Sequence, residues 1–147
     1  MLFWNSSNLK TANIFVLINS FTQVYYISAL QPRMNTNSTS SVLTHIVSKT
    51  FAGIGILDFL HNGSVAYFNH DLSPSPLIKA LTAVGFGSMA LGSDWIFGGC
   101  LVYDLIALSI GQGIYSSGFG GDSGWSRLLG VYAGATAVIV GAKNLLR

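Results

Sequence analysis

Long uncharged apolar runs dominate the chain. From Leu77 to Tyr115 the only charges are Lys79, Asp94 and Asp104. One crossing of a bilayer takes about 20 residues of helix, so this stretch has room for two. Gly92-Ser93-Asp94 divides it, because glycine permits a tight reversal and Ser or Asp caps the helix that follows. Trp95 then sits where tryptophan favours the boundary between lipid and water. The pattern predicts a helical hairpin with spans at about 77–92 and 95–115.

A further span is predicted at 127–146. Leu128 to Ala142 is uncharged, with Arg127 and Lys143 at its ends, whose stems can lie in lipid while their heads reach the interface. The segment Ser116–Ser126 carries four glycines, Asp122 and Trp125, and its composition predicts a loop. Earlier in the chain, 42–60 forms the most polar span, carrying His45, Lys49 and Asp58. Asn62-Gly63 is expected to stop it. Ser73-Pro74-Ser75-Pro76 cannot continue a helix and suits the entry to the next one.

The N-terminal segment, residues 1–33, admits several readings. Ala12 to Leu30 is uncharged and long enough to span, but Asn13, Asn19, Thr22 and Gln23 dilute it. It is a transmembrane helix, a cleaved secretory signal, or a targeting extension with Met34 as the working start. Gln31 to Ser41, rich in Asn, Ser and Thr, reads as a linker in each case. The expected domains are therefore residues 1–33 and a four-helix domain over 34–147.

Composition decides the class. Soluble domains carry roughly 25% charged residues, whereas this chain has 8%, with five Asp and no Glu. That is too little charge to solvate a globular surface in water. The expected fold is all-α: a polytopic membrane helical bundle of four core transmembrane helices plus an N-terminal fifth. Lipid is the expected environment, in a membrane the sequence does not specify. A net charge of +2 without a basic cluster argues against nucleic acid as a partner. The single cysteine, Cys100, excludes an intramolecular disulfide and reads as a small packing residue. Four core spans place both core ends on one side, with Arg33, Lys143 and Arg147, which favours the cytoplasmic face for them.

Within lipid, helices associate through close packing and hydrogen bonds rather than by hiding apolar surface. Gly130 and Gly134 form a GxxxG pair in the last span. Ala133, Ala137 and Gly141 make a second row of small residues, and Ala83 with Gly87 supplies another pair. These positions are expected to pack helices together or to join two copies.

Asp104 is the sharpest chemical signal. It falls near the middle of its span, where a carboxylate costs at least ~2.5 kcal/mol. It must pair, stay protonated or meet water. Lys49, with His45 one turn before it, is the expected partner. Asp58 and His61 share a helix face and form a thin metal candidate, with His70-Asp71 loosely nearby and no third ligand at a recognisable spacing. His45 and His61 are about 24 Å apart along one helix and cannot share a haem iron. Gly118–Gly124 lacks the Gly-Lys-Ser/Thr ending of a phosphate loop. No cofactor is expected.

These features are compatible with three functions. The first is a non-catalytic accessory or scaffold subunit, packing against other membrane proteins through its small-residue faces. The second is a membrane-embedded isomerase, cyclase or oxidase acting on a lipophilic small molecule, with Asp104, His45 and Lys49 as its acid–base set. The third is a proton or ion conductor built on Asp104.

Overall fold

The computed structural model describes residues 9–67, 74–119 and 123–146, which are helical apart from short connections and contain no strand. The helices are α1 (Leu9–Tyr25), α2 (Thr39–Tyr67), α3 (Pro76–Gly92), α4 (Trp95–Phe119) and α5 (Ser123–Leu145). A π-helical turn, Tyr26–Leu30, extends α1. Three stretches are long and apolar enough to cross a membrane: Thr39–Gly63, Trp95–Ile114 and Gly124–Leu145. Pro76–Gly92 is apolar but shorter.

Packing divides the chain into Met1–Phe68 and Asn69–Arg147, each described here by itself. The N-terminal segment packs on α2, whose span the sequence groups with the C-terminal helices.

In the first unit α1 and α2 form an antiparallel hairpin. Ser20 Oγ donates to the Gly55 carbonyl at 2.6 Å, and Gln31 Nε2 donates to Ser48 Oγ at 2.6 Å. The polar residues that dilute α1 turn inward or bond within the helix. Asn13 and Ser20 are buried against α2, Thr22 donates back to the Ile18 carbonyl, and Gln23 donates to Asn19. Hydroxyls that bond within their own helix leave little polarity exposed on its surface.

Two expected boundaries are corrected. Asn62-Gly63 does not stop α2, which continues to Tyr67. A methyl at Gly63 would lie 3.6 Å from the Asn13 amide nitrogen, an ordinary contact distance, so α1 passes beside this glycine within the helix. Likewise Ser116–Ser126 is not one loop: α4 runs to Phe119 and α5 starts at Ser123. Helix keeps those backbone groups bonded internally. Just before this segment, a methyl at Gly113 would lie 3.1 Å from Ser126 Oγ, where α4 and α5 come close. Gly120–Asp122 lies outside the described residues.

In the second unit α3 and α4 join through Ser93-Asp94, at the expected reversal. Ser75 caps α3, with Pro76 in its first turn, and Asp94 Oδ1 accepts from the Phe97 N–H at 3.0 Å. Helix α5 lies antiparallel along α4 and also packs against α3, whereas α3 and α4 touch each other little. Gly98 approaches Val140, and Ser109 and Ser126 each donate to the other's carbonyl at 2.8 Å. At the other face of α5, Tyr132 donates to the Lys79 carbonyl at 3.1 Å, with Trp125 edge-on to the Tyr132 ring.

A buried carboxyl and a polar hairpin seam as candidate functional sites

Asp104 lies about 14 Å along α4 from Trp95, at 1.5 Å per residue, close to the middle of the Trp95–Ile114 stretch. Its side chain is 2% exposed. The α4–α5 register, with Gly98 against Val140 and Ser109 against Gly130, brings Asp104 level with Ala133 to Thr136. Both of those residues are buried as well. One turn before Asp104, Cys100 is half-buried rather than enclosed.

Around this polar centre the outer surface is apolar. Val138 is 70% exposed and Ile114 68%, while Ser93 and Thr136 are both enclosed at 3%. A water-soluble bundle arranges its residues the other way. Lys79 Nζ lies 6.0 Å from the Trp125 ring centroid, a cation over an aromatic face at one end of the unit. At the opposite end, Lys143 and Asn144 both donate to the Ser93 carbonyl.

The expected small-residue faces are used unequally within this unit. Ala133 is buried, and a methyl at Gly130 would meet Ser109 Oγ at 3.4 Å. Gly134 and Ala137 are exposed. A methyl at Gly134, Gly141 or Gly87 would meet nothing within 4 Å. Ala83 and Gly87 are half-buried. The face that packs on α4 is instead Ser126, Leu129, Ala133, Thr136 and Val140, a polar-and-apolar mixture at helical spacing.

His45 and Lys49 belong to the first unit and Asp104 to the second. His45 is 6% exposed and Lys49 half-buried, on successive turns of α2. Asp58 and His61 lie further along the same helix and are both exposed. Among the described residues no three His, Cys, Asp or Glu side chains gather as a metal site requires. His70-Asp71 lies outside them.

The first unit also holds groups that pattern alone did not single out. Gln31 donates to Ser48, and Ser48 Oγ is 3.3 Å from the His45 carbonyl, which it can donate to in turn. Gln31 Oε1 and His45 Nδ1 are enclosed and meet no protein donor, and the same is true of Gln23 Oε1 and Asn13 Oδ1. The available signal was the row Ser38, Ser41, His45, Ser48, Ala52 and Gly55, which alternates steps of three and four along one helix face.

No protein-family model matches this chain, and comparisons with curated proteins and with solved structures find no match either.

Proposed function

We propose that this is a multi-pass integral membrane protein acting as a non-catalytic accessory or scaffold subunit. In this reading α2, α3, α4 and α5 are its four core spans, and α1 with its π-helical turn is a fifth. The supporting observation is the inverted polarity of the second unit, with Asp104, Ser93 and Thr136 inside and Val138, Val131, Tyr103 and Ile114 outside. Lipid tails solvate such a surface, and water does not. The exposed Gly134 and Ala137, with Gly130 beside them, offer a further helix a close approach of the kind small residues allow in membranes.

After alkaline carbonate washing the protein is expected to stay in the membrane pellet and to need detergent for extraction. Purified chain that stays dissolved and monomeric in plain buffer overturns the proposal. For the accessory role, Asp104→Asn is expected to keep both abundance and cellular phenotype.

A second reading is favoured by the position of Asp104, a carboxyl enclosed at mid-span. It makes the protein an isomerase, cyclase or oxidase for a lipophilic small molecule, with Asp104 as its acid–base group. The same carboxyl would serve a proton or ion conductor. An Asp104→Asn variant that keeps its abundance while losing the phenotype selects these uses over the accessory role.

A further inference from the structure

We propose that one side of α2, centred on Asp58, is a docking face for a membrane-spanning helix that carries a lysine or arginine at mid-depth. The proposal rests on the membrane reading above and gives the accessory role a partner of stated chemistry.

The register of the first hairpin sets the depth of Asp58. From Thr11 to Leu30, α1 and its π-helical turn are uncharged. At 1.5 Å per residue they cover about 30 Å, the thickness of the hydrocarbon core of a bilayer. Lys10 and Arg33 stand just beyond the two ends. Ser20 bonds to Gly55, and Asn13 lies against Gly63. In an antiparallel pair these two contacts put Asp58 level with Leu17, about 10 Å inside the Lys10 end.

The surroundings of Asp58 on α2 are apolar. Val47, Phe51, Ile54 and Asp58 follow one another at steps of four, three and four, which makes them one stripe along the helix. All four are exposed. The stripe is distinct from the face that bonds to α1 through Ser48 and Gly55. Among the described residues no hydrogen bond or ion pair engages the Asp58 carboxyl. Lys49, the other charge of the span, lies about 14 Å back along α2 and about 180° around it. His61, one turn nearer the end of the span, is already engaged.

A charged side chain within a span ordinarily turns to the bundle interior, to a watery cavity or to an opposite charge. Asp58 turns outward instead. Lysine and arginine can lift their heads to the interface on long stems, but an aspartate side chain is far too short to cross about 10 Å. A cation on a neighbouring helix neutralises the carboxylate, and the apolar stripe gives that helix a surface to lie along. A second copy of this chain does not meet the need. Two copies inserted the same way, related by a two-fold axis, bring their Asp58 carboxylates to one depth, like charge facing like.

The test uses the full chain in lipid vesicles, with photoreactive benzoylphenylalanine in place of Phe51 on the stripe. The probe is a synthetic leucine–alanine helix long enough to span the bilayer, with one central lysine, and its control has leucine there. Illumination is expected to cross-link the lysine probe severalfold more than the leucine probe. Asp58→Asn is expected to abolish the difference and Asp58→Glu to keep it. With the photoreactive group at Val138 of α5 instead, the two probes are expected to react alike. Circular dichroism in detergent establishes that each variant is folded. Equal capture of the two probes at position 51 overturns the docking face, as does a preference that survives in folded Asp58→Asn or recurs at Val138. A cross-linked dimer of the chain makes a second copy the occupant, and a cross-link confined to one chain shows the face already covered; each overturns the proposal. In all these cases the chain still floats with the vesicles, and the membrane reading stands. Failure to float removes that reading, and the docking face with it.

Discussion

Gly98 lies so close to Val140 that a methyl group on its α carbon would sit 2.5 Å from the valine Cγ1. Ser93 Oγ would be only 2.8 Å away on another side. The branched valine side chain has little room to yield, because its methyls stand close to its own backbone. Gly98→Ala is therefore expected to destabilise the detergent-solubilised protein by about 1–3 kcal/mol, the usual range for overpacking a filled site. Adding Val140→Ala should recover much of the loss. Thermal unfolding of the two variants checks both statements, and a wild-type midpoint for Gly98→Ala contradicts the close approach.

The Ser109–Ser126 pair allows a sharper test. Each hydroxyl donates to the other residue's backbone carbonyl, not to its hydroxyl. Removing one side chain leaves the other bond in place. Ser109→Ala and Ser126→Ala are each expected to cost about 0.6 kcal/mol, typical of hydrogen bonds between membrane helices. Their effects should add within about 0.5 kcal/mol in a double-mutant cycle. A large coupling energy would mean that the hydroxyls bond each other.

In the first hairpin, space matters more than any single bond. Ser20→Ala removes the bond to the Gly55 carbonyl and is expected to cost no more than about 1.7 kcal/mol. Gly55→Leu pushes a side chain to where Gln23 Oε1 stands 3.1 Å and Ser20 Oγ 3.3 Å from a first carbon. It is expected to be the more damaging change, read as lost protease resistance of residues 9–67. Equal effects would show that the glycine is not needed for the contact.

At the far end of the second unit, Lys143 and Asn144 converge on one carbonyl. Asn144 is 3.5 Å away, at the limit of a hydrogen bond, and also donates to Val140 at 2.9 Å. Lys143 is the principal donor to Ser93. Lys143→Met is expected to lower stability by about 1 kcal/mol or more, since bonds from charged donors are the stronger ones. Asn144→Leu should cost less. The reverse order, measured by unfolding in denaturant, would show that the lysine is held elsewhere.

The sequence revealed where helices lie better than where they end. Charge-free runs and Ser-Pro signals located α3, α4 and the turn at Ser93-Asp94, because proline and capping chemistry leave the backbone few alternatives there. Glycine was the source of error. At Gly63 it suggested interruption, yet there α2 continues and α1 comes near. Composition cannot separate these uses, since both require a missing side chain. The position of Asp104 near the middle of an apolar run was legible; its enclosure was not, because facing water was an equal alternative. The Gln31–Ser48 bond was not, because it joins a residue read as linker to one read as span.

Helix α5 touches both of its neighbours, which barely touch each other. As the chain leaves the ribosome, the turn at Ser93-Asp94 forms long before the side chains that clamp it have been synthesised. Helices α3 and α4 then wait as a loosely joined pair, and the arrival of Lys143 closes the assembly from its last turn.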